Sequence, residues 1–188
     1  MFIQTEETPN PSTLKFVPGK VLLENGTQEF KSRKAAKSNS LAKMLFEDEN
    51  VNGVFIGKDF ITITKSNQVN WESLKPSILS KIHDFLSSGK KVESENKKNN
   101  KTKDNYSKKD LEIVKQINQL LEERIKPAVA QDGGDISFVK FDNGVVYLEL
   151  QGACSGCPSS TITLKSGIEN MLKYYIPEIV SVEAVNQS

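Results

Sequence analysis

Residues 150–160 read Leu150-Gln151-Gly152-Ala153-Cys154-Ser155-Gly156-Cys157-Pro158-Ser159-Ser160, and they hold both cysteines of a 188-residue chain. A strand-like run ends at Leu150 and a helix-like run begins near Ser160, so the pair lies in a connecting loop. Structural zinc usually takes four protein ligands, and thiolate-held iron–sulfur clusters take four cysteines. Two thiols are half of such a set. Either a second copy of the chain completes it, or Cys154 and Cys157 form a dithiol redox couple.

The loop's own residues favour chemistry over packing. Pro158 suits the first position of a helix, where its missing N–H is not needed, and this puts Cys157 near the N-cap. The free amides of a helix start favour a thiolate, the form that binds metal or attacks a disulfide. Gly152 and Gly156 allow close backbone approach. Two cysteines serving only as small apolar fillers fit poorly with a loop this rich in glycine and serine.

Outward from the loop, the flanks build an α-β-β-α-β unit. Leu111, Val114, Ile117, Leu121, Ile125 and Ala128 recur at helical spacing, with Pro127 expected to kink the last turn. Gly133-Gly134 stops that helix. Residues 136–141 and 145–150 read as strands paired across Asn143-Gly144, a dipeptide suited to a two-residue hairpin loop. After the cysteines, Ile162, Leu164, Ile168, Met171, Leu172 and Tyr175 describe a second helix, and Val180, Val182 and Ala184 alternate as a last strand.

The N-terminal half reads as another small α+β unit. Residues 12–17 and 20–23 look extended around Pro18-Gly19, and residues 40–46 suggest a short helix with Ser40 as its N-cap. A hairpin follows, with strands at 54–56 and 60–64 around Gly57-Lys58. Trp71, Leu74, Ile78, Ile82 and Phe85 then mark a helix that ends by Gly89.

The two units differ in charge. Lys and Arg against Asp and Glu count 11 to 10 over residues 1–89, 8 to 3 over 90–109 and 6 to 11 over 110–188, for a net charge of +1. Residues 90–105 contain one apolar side chain, Val92, too little buried surface to offset ordering. The expected organisation is therefore α+β, with domains at 1–89 and 110–188 joined by a flexible basic linker at 90–109. No aromatic residues interleave the lysines of residues 90–105, so a nucleic-acid partner is not expected.

Other features have plainer readings. No apolar run approaches the ~18 residues of a membrane span, and the start, Met1-Phe2-Ile3-Gln4-Thr5-Glu6-Glu7, has no signal or presequence pattern. A cytoplasmic, bacterial-type location is expected, with a processed mitochondrial form as the alternative. His83 reads as a surface helix residue, Asp132 and Asp135 as turn residues flanking two glycines, and Trp71 as core.

Two runs carry a resemblance. Lys126-Pro127-Ala128-Val129-Ala130-Gln131-Asp132-Gly133-Gly134-Asp135 followed by residues 150–160 resembles the C-terminal NifU domain of Nfu-type iron–sulfur scaffold and carrier proteins. Thr8-Pro9-Asn10-Pro11-Ser12-Thr13-Leu14-Lys15-Phe16 with Pro18-Gly19 is similar to the N-terminal domain of the same family. The resemblance implies a non-enzymatic homodimer. It would bridge one [4Fe-4S] cluster through Cys154 and Cys157 of each chain, receive it from the assembly machinery and pass it to apo-proteins. The residues alone leave two-iron, four-iron and zinc sites open, and keep a dithiol–disulfide oxidoreductase as the competing function. A thioredoxin-like site wants a βαβ unit leading into the pair, whereas a hairpin precedes it here.

Overall fold

The computed structural model describes residues 2–92, 106–156 and 158–185, with the side chains of 158–160 left aside. Most of the expected linker, residues 93–105, and Cys157 lie outside the described residues. The chain divides into two compact units, Met1–Asn96 and Lys97–Ser188.

The first unit is a five-stranded antiparallel sheet in the order β1-β2-β5-β4-β3. Its strands are β1 (Gln4–Glu7), β2 (Thr13–Val17), β3 (Gln28–Phe30), β4 (Val51–Ile56) and β5 (Ile61–Lys65). Phe16, Ile56, Ile61 and Ile63 are fully buried in one core with Leu41 and Leu45 of α1 (Ser40–Leu45) and with Leu74, Ile78, Ile82 and Phe85 of α2 (Trp71–Ser87). Two expectations change. Residues 20–23 form no strand, because Gly19 turns the chain at φ +68° and the Leu22 and Leu23 amides donate to the Lys58 carbonyl at 2.7 and 3.2 Å. Ser40 is not the cap of α1. Asn39, fully buried, accepts from the Ala42 amide at 2.9 Å and donates to Gln28 Oε1 at 2.8 Å, so it satisfies a helix terminus and a strand side chain together. Trp71 is half-buried against the core, its Nε1 donating to the Pro11 carbonyl at 3.1 Å, and His83 is exposed beside Asp84.

The second unit has the expected α-β-β-α-β order, with its first helix in three pieces: α3 (Lys108–Leu120), a π turn (Leu121–Ile125) and α4 (Lys126–Gln131). It therefore starts two residues before 110, with Ser107 as N-cap. Ile113, Ile117, Leu121, Ile125 and Val129 are the buried positions, while Leu111 and Ala128 are exposed. A constant spacing of four would drift off one face of a 3.6-residue helix, by about 40° per step. The wider π turn absorbs that drift. It also precedes Pro127, which has no N–H for the Glu123 carbonyl and crowds it, so the irregularity falls one turn earlier than a proline kink.

The sheet runs β6-β7-β8. β6 (Gly134–Asp142) and β7 (Val145–Gly152) pair antiparallel around Asn143 and Gly144, both at positive φ, and β8 (Ser181–Val185) joins β7 in parallel after α5 (Pro158–Tyr175). Ile136, Val146, Leu148, Leu172 and Val182 fill the core between sheet and helices.

Candidate functional site

The loop between β7 and α5 is held from three sides. Ser155 caps it locally, its amide and hydroxyl both donating to the Gly152 carbonyl at 3.1 and 2.9 Å. The Ala153 amide donates to the Gly133 carbonyl at 3.2 Å, tying the loop to the turn between α4 and β6. Thr161 Oγ1 donates to the Cys154 carbonyl at 3.2 Å, tying it to the first turns of α5. Gly152 and Gly156 turn at φ +66° and +83°, a region that a side chain would strain.

Cys154 is the fold's surprise. The polar loop sequence suggests exposed thiols, yet Cys154 is 5 % exposed and belongs to the second unit's apolar core. Its sulfur sits on Gly134, where an added Cβ would lie 2.7 Å from Sγ and 2.5 Å from the Gln151 carbonyl oxygen. The Asp132-Gly133-Gly134-Asp135 run thus does more than turn the chain. It gives the thiol a seat that no residue larger than glycine leaves open.

The electrostatics also reverse the expectation of a lowered cysteine pKa. Burial foremost, then the carboxylates of Asp132 and Asp135, together push the Cys154 thiol up to about 12. The α5 dipole does not win at this sulfur. Asp132 and Asp135, read from sequence as turn residues only, are therefore electrostatic neighbours of the thiol. No local signal marked them, since the contact spans some twenty residues of chain. α5 begins at Pro158, as expected. Among the described residues no three His, Cys, Asp or Glu side chains gather as a metal site.

This environment has a measurable signature. At pH 8 a thiol at about 12 holds roughly a thousandfold less thiolate than one at 9.0, so iodoacetamide should label Cys154 of the metal-free Cys157→Ser variant far more slowly than a model thiol. Asp132→Asn with Asp135→Asn should speed that labelling. The folded state keeps a proton that the unfolded chain releases near 9, so this contribution to stability is intact below pH 9 and falls as pH rises toward 12. Labelling at the rate of a free thiol would contradict the seat described here.

Fold and loop together define a two-domain α+β protein whose second domain presents a paired-cysteine loop. Residues 3–89 match the family model described as "Scaffold protein Nfu/NifU N terminal", and residues 117–183 match that of the NifU-like domain. The chain is 49 % identical over 186 residues to the human protein "NFU1 iron-sulfur cluster scaffold homolog, mitochondrial", covering 98 % of this chain and 72 % of that one. It is 49 % identical over 185 residues to Arabidopsis thaliana "NifU-like protein 4, mitochondrial", covering 97 % of this chain and 65 % of the relative. A solution NMR structure of a NifU-like protein from Saccharomyces cerevisiae aligns at 30 % identity and TM-score 0.46, over 50 % of this chain and 86 % of that one. The chain belongs to the Nfu/NifU family. It spans roughly two thirds of the length of the two named relatives.

Proposed function

We propose that this protein is an iron–sulfur cluster scaffold and carrier. The [4Fe-4S] cluster would be its cargo, held between two copies by Cys154 and Cys157 of each and handed to apo-proteins. The observation that carries this reading is the half-complete ligand set in a family whose human member is named an iron–sulfur cluster scaffold homolog. Each chain owns two cysteines, and thiolate-held clusters take four. Handover then needs ligand exchange only. One iron–sulfur bond to an acceptor thiolate forms as one bond to Cys154 or Cys157 breaks, and the leaving thiolate takes up the proton that the acceptor thiol lost.

The buried sulfur weighs against the oxidoreductase alternative. An attacking cysteine in a disulfide exchanger is accessible and has a lowered pKa, and Cys154 has neither property. A metal can displace the proton of a buried thiol, which makes loading pH-dependent and proton-releasing. Among the described residues no helix is long and apolar enough to cross a membrane. The two named relatives are called mitochondrial, which lends the cytoplasmic expectation no support.

Because each chain holds half the ligands, cluster release and subunit separation are thermodynamically linked. The test is anaerobic reconstitution with iron and sulfide, followed by metal and sulfide analysis and sedimentation. Four irons and four sulfides per pair of chains, with a dimer when loaded and a monomer when stripped, is the expected result. A colourless protein without iron would end this reading, and an empty protein already dimeric at low micromolar concentration would end the coupled release.

A further inference from the structure

Helix α5 leaves the cysteine loop with its charges turned to one side. Lys165 Nζ pairs with Glu183 at 2.8 Å, Glu169 accepts from Lys173 Nζ at 2.6 Å, and the second Glu169 oxygen accepts from the Val182 amide at 2.9 Å. Thus Lys165 and Glu169 face β8. The exposed positions over residues 162–170 are Ile162, Thr163, Ser166, Gly167 and Asn170, none of them charged, in a chain that is 26 % charged. At about 100° per residue these five fall on one arc of roughly 140°. Ile162, in the part of the helix nearest the loop, is 65 % exposed. Among the described residues no atom lies within 4 Å of a Cβ added at Gly167, so none of them explains a glycine that disfavours the helix by about 1 kcal/mol.

We propose that this uncharged α5 face, with the exposed Ile162 at its loop end, is the surface on which a second copy of the chain docks. The inference rests on the cluster-carrier reading and names where its two subunits meet. The second copy is the occupant because the ligand set demands one. Thr161 ties the Cys154 carbonyl to α5, so a chain that shares the cluster must also come against the first turns of this helix. A twofold axis through the shared cargo would set the loop end of each α5 against its counterpart, the self-complementary contact of a symmetric dimer. The missing Cβ at Gly167 lets the helices approach closely.

The size of the face agrees with a dimer that forms only on loading. Stable interfaces use about 20–30 residues a side, and five is roughly a fifth of that. The face is enough to select and align a partner, and too small to hold one without the cluster's bonds.

The test compares Ile162→Glu with Leu111→Glu, which places the same charge on an exposed apolar residue of α3, 44 % exposed. Both sites are on the surface, so both variants should keep the parent's circular dichroism and melting temperature. After reconstitution with iron and sulfide, Ile162→Glu should lose at least tenfold in dimer affinity by sedimentation while Leu111→Glu matches the parent. A benzophenone amino acid at Ser166 should crosslink two chains in loaded protein and not in empty protein. If Ile162→Glu dimerises on loading as the parent does, or if loaded Ser166 probes give no chain-to-chain crosslink, the docking surface is wrong although the carrier stands. If the parent itself loads no iron, the carrier reading falls and takes this inference with it.

Discussion

Replacing Cys154 with alanine or serine is expected to abolish cluster loading outright, leaving less than a tenth of the parent's iron and sulfide after anaerobic reconstitution. With one of the two thiols gone from each copy, a symmetric pair offers two ligands for four positions. The cost to the fold should differ between the two variants. Cys154 lies in the second core at 5 % exposure, so a serine hydroxyl there is a polar group taken out of water, at about 1–3 kcal/mol where no partner is found. Alanine removes the sulfur and leaves a small void. Far-UV circular dichroism should show both variants folded, with the serine form melting lower, and Cys157→Ser should lose loading as well. A Cys154→Ala protein that retained the parent's iron would remove Cys154 from the ligand set and with it the proposed site.

The legible parts of this fold are those written in local chemistry. Asn143-Gly144 marked a hairpin because positive φ at both positions is rare elsewhere, and the alternation of residues 145–150 follows the pleat. Pro158 marked the start of α5 by the same kind of local rule. β1 and β3 were not foreseen, because short edge strands of polar residues such as Gln4-Thr5-Glu6-Glu7 carry no hydrophobic period and exist through their partners β2 and β4. The phase of the first helix of the second unit was misread for a related reason. A 3.6-residue template selects Leu111 and Ala128, whereas the π turn shifts burial to Ile113 and Val129.

At the site, the cysteine pair and the helix after it could be read from the residues, but the environment of Cys154 could not. A loop of glycine and serine suggests water, and a helix start suggests a thiolate. Both arguments consider only neighbours in the chain. The deciding contacts come from Gly134 and the two aspartates about it, brought against the sulfur when Gly134 pairs with Gly152 and Asp135 with Gln151. The same run of residues that carried the family resemblance thus has a physical task. Its glycine makes room for the thiol, and its carboxylates oppose the thiol's ionisation.

That task makes Gly134→Ala the most informative small change in the protein. A methyl group at this position would lie 2.5 Å from the Gln151 carbonyl oxygen, 2.7 Å from Cys154 Sγ and 3.2 Å from its Cβ. The Gln151 oxygen belongs to a strand locked in the β6–β7 ladder and has little freedom to yield, so the sulfur or the ladder must move. Overpacking of this kind costs about 1–3 kcal/mol, and a ligand sulfur displaced by even an ångström no longer meets the geometry its metal requires. The expected outcome is a folded protein with a lowered melting temperature and most of its cluster loading lost. In a Cys154→Ala background the sulfur clash is gone while the Gln151 clash remains, so the same substitution should destabilise less there, and the difference in a double-mutant cycle measures the sulfur's share. A Gly134→Ala protein with the parent's stability and the parent's iron content would show that the thiol does not rest on this glycine, and the role assigned to the glycine pair would have to be withdrawn.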